Sequence, residues 1–124
     1  MDSIYLHLGE NLILIEFDSS IFSKALAQFS GGDYEAAAAS FKNYIEGFPR
    51  HRNRIHGHYY LAHALQAMTH FEQAGAAFQE LAERYPDSTY EEEALFLAGE
   101  NYYNERLFDI AAAAYTELLQ QYPA

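Results

Sequence analysis

The chain has 124 residues, half of them apolar, and no cysteine. That is enough hydrocarbon for one core-bearing domain and too much for a disordered chain, while the missing cysteine removes any disulfide framework or thiolate metal site. Eighteen acidic residues against seven basic ones give a net charge of −11, which argues against nucleic acid and anionic membranes as partners, because phosphate binding runs on Lys and Arg.

Residues 1–18 stand apart from the rest. Ile4, Leu6 and Leu8 alternate with Tyr5 and His7, Gly9-Glu10-Asn11 interrupts, and residues 12–17 resume the apolar pattern. A β-hairpin with a three-residue turn fits this better than a helix, although Gly9-Glu10-Asn11 echoes Gly99-Glu100-Asn101 in a segment read as helical. The apolar run at 12–15 is too short for a transmembrane helix or the apolar heart of a signal peptide. Periplasm and cytoplasm fit equally well: either the chain is cytoplasmic, or a leader has been removed. Asp18, Ser19 and Ser20 read as the cap of the first true helix.

From there a period takes over. Tyr34, Phe71 and Phe108 are 37 residues apart, and so are Ala37, Ala74 and Ala111. Phe41, Phe78 and Tyr115 keep the same interval, as do Pro49, Pro86 and Pro123. Such self-similarity marks a repeat array, in which each unit buries its apolar face only against its neighbours. The expected units cover about 19–51, 55–88 and 91–124.

The first unit offers Ile21 and Ala25, then Gly32-Asp33-Tyr34 as turn and cap, then Ala37, Phe41 and Phe48-Pro49. Its first helix carries Lys24 and Gln28 on the regular stripe, so its apolar side is rotated to Phe22, Ala25, Leu26 and Phe29, and the segment before it is the simplest cover. The second unit runs through His58, Leu61, Ala62 and Leu65, then Phe71, Ala74, Phe78, Leu81 and Tyr85-Pro86. Ser88 with Glu91 reads as a capping box. In the third unit Leu95, Ala98, Gly99 and Tyr102 share a helix face, small where a neighbouring helix approaches closely. A turn over 104–107 then leads to Phe108, Ala111, Tyr115 and Leu118, and Tyr122-Pro123 ends the helix because proline cannot continue its hydrogen-bond ladder.

This pattern resembles the tetratricopeptide repeat, with its Leu-Gly-like pair, Tyr, Ala, Phe and closing Pro. The resemblance covers residues 19–124. Three extra residues beyond the usual ~34, together with the tyrosine–proline ends, look like the longer-period repeats of bacterial envelope proteins such as the Tol–Pal coordinator. The fold implied is all-α, a right-handed superhelix of three helix-turn-helix units behind a short N-terminal segment. The function implied is a protein–protein interaction scaffold that binds an extended segment of a partner in a concave groove.

Carried onto this chain, the groove comprises Phe22, Leu26, Phe29, Tyr59, Tyr60, His63 and Gln66, continuing with Phe96, Leu97, Glu100, Tyr103 and Asn104. Rigid aromatics on such a wall anchor peptides; the plainer alternative is packing between helices. The positions where family members clamp a terminal carboxylate hold Phe22, Leu26, Tyr60, Glu93 and Leu97, with no cation among them. A rim cluster, Arg50, Arg52 and Arg54, is expected to be solvent-exposed between the first and second units. Five histidines (51, 56, 58, 63 and 70) lack the four-residue spacing that chelates a metal from one helix, so no metal and no cofactor are expected. No catalytic constellation stands out, and the chain reads as a non-enzyme. The alternative function is self-assembly: Leu118 and Leu119 are expected to lack cover at the C-terminal end, a face for homo-oligomer formation or for a continuation of the array.

Overall fold

Six helices follow one another through the residues that the computed structural model describes, 19–49 and 52–123. Helix α1 covers 19–30. It is followed by α2 (Tyr34–Gly47), α3 (Arg54–Ala67), α4 (Phe71–Arg84), α5 (Glu91–Asn104) and α6 (Phe108–Gln121). The sequence-read hairpin and the capping residue Asp18 lie outside the described residues. Ser19 and Ser20 are already helical.

The helix ends follow from single residues. Phe48, Tyr85 and Tyr122 leave their helices with φ of −130°, −128° and −131°, because the proline that follows each excludes the α conformation for the residue before it. Within each unit the first helix closes with the same left-handed turn. Gly32, Thr69 and Arg106, spaced by the repeat period, hold φ of 85°, 59° and 67°. The next amide reaches back five residues, from Asp33 to the Gln28 carbonyl, from His70 to Leu65 and from Leu107 to Tyr102, each at 2.9 Å. This is the Schellman arrangement. Only the first unit supplies the glycine that it favours.

Asp33 caps α2 by accepting from the Ala36 amide at 3.3 Å. The box at Ser88 is displaced: Ser88 Oγ accepts from the Tyr90 amide at 3.3 Å, and Glu91 Oε1 accepts from the Asp87 amide at 3.1 Å. The two side chains secure the loop ahead of α5 instead of its first turn.

Each helix packs on the next, giving an all-α repeat solenoid. Among the described residues, two apolar clusters run through it. Ala25, Ala37 and Phe41 form the first, and Ala62, Phe78, Leu81, Leu95 and Tyr102 anchor the second. Gly99 lets α6 come close, since a Cβ there would lie 2.6 Å from a Tyr115 ring carbon.

The rotated stripe of α1 packs forward. Phe22 meets Phe41 and Tyr44 at ring separations of 5.8 and 5.1 Å, and Phe29 meets Tyr34 and Tyr60 at 5.4 and 5.3 Å. Among the described residues its cover therefore comes from α2 and α3. Gln28, on the regular stripe, accepts from Ser40 Oγ at 2.6 Å.

Candidate functional site

The first helices of successive units, α1, α3 and α5, carry the residues read as a groove. Where α3 meets α5 they build a polar, aromatic ladder. Tyr59 stacks on Tyr90 at 4.2 Å and 18°, and its hydroxyl donates to Glu93 Oε2 at 3.2 Å. His63 Nε2 lies 3.6 Å from the same oxygen, too far for a hydrogen bond. His56 Nδ1 bonds the Tyr90 hydroxyl at 2.7 Å. Asn101 Nδ2 donates to Gln66 Oε1 and to the Leu97 carbonyl, both at 2.8 Å.

The ladder has its own electrostatics. Burial first, then the Glu93 carboxylate, pushes the Tyr59 hydroxyl up to about 12, so it remains a donor throughout the physiological range. Burial lowers His63, with Glu93 opposing the shift. The imidazole is thereby biased to its neutral form, and the Glu93 side chain lies at the exposed side of the ladder.

Of the twelve groove residues read from sequence, Tyr59, Tyr60, His63 and Gln66 come together here, and Leu97 packs beside them. Tyr60 is a packing residue as much as a wall. It stacks on Phe41 at 5.4 Å and 16° and meets Phe29 edge-on. Phe22, Leu26 and Phe29 are half-buried and pack against the first apolar cluster, because a helix with Lys24 and Gln28 on its regular stripe has only these side chains with which to cover Phe41. Each packs inward with part of its surface and leaves the rest exposed.

Phe96, Glu100 and Tyr103 turn toward α6. Phe96 approaches Tyr115 at 6.4 Å, Tyr103 approaches Phe108 at 5.2 Å, and the Tyr115 hydroxyl donates to Glu100. Asn104 is exposed at the end of α5. The residues expected on one wall thus make two sets of contacts, a polar ladder between α3 and α5 and an aromatic set against α6.

The rim cluster also divides. Arg50 and His51 lie outside the described residues, and Arg52 is exposed. Arg54 is not a free surface cation. It is the first residue of α3, half-buried, donating from Nε to the Ile45 carbonyl at 3.1 Å and from Nη1 to the Tyr85 hydroxyl at 3.4 Å. A guanidinium suits this post because its planar donors can satisfy a carbonyl and a hydroxyl together.

Sequence reasoning passed over Tyr90, Glu93 and Asn101 as ladder residues. The signal was available: the contacts join residue i to i+34 or i+35, as in His56–Tyr90, Tyr59–Glu93 and Gln66–Asn101. Successive first helices are offset by about one turn, so a partner falls roughly one turn short of the repeat equivalent at i+37.

A tetratricopeptide repeat model matches residues 19–51, 58–88 and 93–124. The chain belongs to the tetratricopeptide repeat family. Repeats of this family generally mediate protein–protein interaction and are generally non-catalytic scaffolds. No curated protein matches the chain. Among the described residues, no helix of this repeat array is long and apolar enough to cross a membrane.

Proposed function

We propose that residues 19–124 act as a three-unit scaffold that binds an extended segment of a partner protein along the first helices, with the α3–α5 ladder as its centre. The observation that carries this reading is the ladder itself. Glu93, exposed, is held at the edge of Tyr59, Tyr90 and His63, so aromatic area and a fixed carboxylate stand side by side. Hydrogen-bonding groups beside rigid aromatic faces are what a peptide backbone and its side chains engage. A partner segment with a Lys or Arg next to an apolar residue matches this edge. The period and the tyrosine–proline ends also suit the repeats of bacterial envelope proteins, where such a partner would be another envelope component. Neither nucleic acid nor lipid belongs to this reading, given the acidic balance.

Photo-cross-linking tests it. A benzophenone amino acid at Gln66 or Asn104, on the first helices α3 and α5, should capture the same partner, whereas one at Glu83, exposed on α4, should capture none. Loss of capture on replacing Glu93 by Lys is also expected. Equal capture from α4, with Glu93→Lys without effect, overturns the ladder as the binding centre.

A second reading is favoured by a separate observation. All five large apolar side chains that stay exposed among the described residues, Phe96, Tyr103, Phe108, Ile110 and Leu119, belong to α5 and α6. Leu119 is 63% exposed, whereas Leu118 is partly buried against the second cluster. Between them and Phe96 lies a shallow cleft of about 440 Å³. Association through this end, with a second copy, is the self-assembly alternative. Sedimentation of the wild type against Phe96→Ser/Leu119→Ser decides it: a wild type that remains monomeric at high concentration removes the alternative.

A further inference from the structure

A departure from repeat regularity lies on the other side of the solenoid, where the second helices α2 and α4 flank α3. A cavity of about 470 Å³ opens there, within the range of small-molecule sites. Its apolar walls come from Ala38, Ile45, Leu61, Leu65 and Ala77. Lys42, Arg54 and Arg84 also line it, a concentration of cations in a chain with seven basic residues and a net charge of −11. His58 lines it too, 5% exposed, with Nε2 buried and without a hydrogen-bond partner. Two acids complete the lining, Glu46 and Glu80. Glu80 is already paired with Arg84 at 2.6 Å.

The repeat supplies an internal control. One period on, the corresponding groove is flanked by α4 and α6 and floored by α5. Lys42 is replaced there by Gln79, Arg54 by Glu91 and Arg84 by Gln121, while His58 becomes Leu95. Leu65 becomes Tyr102, whose ring is buried and whose hydroxyl donates to Gln79 Oε1 at 3.1 Å. That second groove is filled and has no cation at these positions. The architecture therefore does not require the cations, the buried imidazole or the open volume of the first groove, and all three occur together.

We propose that this cavity is a binding site for a small apolar monocarboxylic acid, its hydrocarbon body against Leu61, Leu65 and Ala77 and its carboxylate among Lys42, Arg84 and His58. The apolar walls account for the body, since hydrocarbon removed from water is stabilising in proportion to area. The cations and the imidazole account for the charge, because a carboxylate entering an apolar cleft needs donors. Arg54, tied to the Ile45 carbonyl and the Tyr85 hydroxyl, contributes field and shape. Burial lowers His58 to about 4, so in the free protein its imidazole is neutral near pH 7, and a bound anion would raise it. This site is separate from the ladder between α3 and α5, and either can fail without the other.

The test is an NMR titration of the chain with decanoate, with decanol as the uncharged counterpart. Decanoate should shift resonances of His58, Lys42, Leu65 and Ala77 to saturation and move the His58 titration midpoint upward. Decanol should bind at least about tenfold more weakly, as should decanoate to Lys42→Gln/Arg84→Gln. Those substitutions copy Gln79 and Gln121, and Leu65→Tyr, copying Tyr102, should abolish binding by filling the cavity. Because each residue is already accommodated one repeat away, the variants are expected to fold, which helix content will report. The wild-type comparison of decanoate with decanol stands even if one does not. Shifts spread over the exposed flank of α6, equal affinity for decanol, or undiminished binding in Leu65→Tyr would each overturn the proposal.

Discussion

His58 makes the stability of the array sensitive to acid, and the size of the effect follows from its surroundings. The side chain is 5% exposed on α3, meets the Tyr85 ring at 5.8 Å, and has an orphan Nε2. Burial is the main cause of its lowering from 6.5 to about 4, with Arg54 and Arg84 adding to it and Glu80 opposing. In the unfolded chain the imidazole takes up a proton near pH 6.5, whereas in the folded protein it does so only near pH 4. Between those values the unfolded state binds more protons, so stability falls as pH falls. At about 1.4 kcal/mol per pH unit, the His58 contribution lost over that window is about 3 kcal/mol, a large share of a small domain's total. Replacement by Leu, the residue at the equivalent position 95, should remove this component. Near pH 7 the variant should be equal to the wild type or up to ~1 kcal/mol more stable, because an unsatisfied buried nitrogen disappears. Urea unfolding followed by circular dichroism from pH 7.5 down to 4 measures both proteins, and titrations common to the two cancel in the difference. Parallel pH profiles for wild type and His58→Leu would refute the reasoning, since they would mean that the imidazole is solvated or protonated in the fold.

Tyr60→Ala should cost ~2–4 kcal/mol of stability, because the ring is packed between Phe29 and Phe41. Tyr103→Ala, at a side chain 58% exposed, should change the denaturation midpoint by less than ~0.5 kcal/mol equivalent. Thr69→Gly should raise stability by ~0.5–1 kcal/mol, because a β-branched residue at φ 59° is strained where glycine is not, while Gly32→Ala should lower it by ~1 kcal/mol; urea midpoints at constant m-value check both. Raising ionic strength should stabilise the fold modestly, since screening relieves self-repulsion at a net charge of −11, and a thermal midpoint that falls with added salt would contradict this.

The solenoid was legible because its determinants are local and recur. Proline after Phe48, Tyr85 and Tyr122 ends three helices, and the apolar positions keep helical spacing. The proposed binding face was less legible, because it depends on the offset between neighbouring helices. The helical stripes put Tyr59 and Phe96 on the same groove face, whereas the offset of about one turn gives Tyr59 to Tyr90 and Glu93. Arg54 was misjudged for a related reason. Its neighbours in sequence are loop residues, but its position opens a helix against the end of α2. The cavity on the α2–α4 side was hidden altogether, since Lys42, His58 and Arg84 sit 16 and 26 residues apart and belong to three different helices.

The contact between Arg54 and Tyr85 shows how far the repeat constrains this chain and where it stops. One period on, the same two positions hold Glu91 and Tyr122, and the Tyr122 hydroxyl donates to Glu91 Oε1 at 2.6 Å. Backbone and tyrosine persist while the charge opposite is inverted, and the hydroxyl changes from acceptor to donor. The swap is chemically cheap because a phenol can do either. It also belongs to a wider habit: Tyr59 with Glu93, Tyr115 with Glu100 and Tyr122 with Glu91 each set a neutral hydroxyl against a carboxylate. All three hydroxyls are pushed up to about 12 by their surroundings and remain protonated donors. A chain with eleven tyrosines and eighteen acids can thus hold carboxylates in place without matching each with a cation. Lys42, Arg54 and Arg84 can then gather at one cavity while the rest of the array stays acidic.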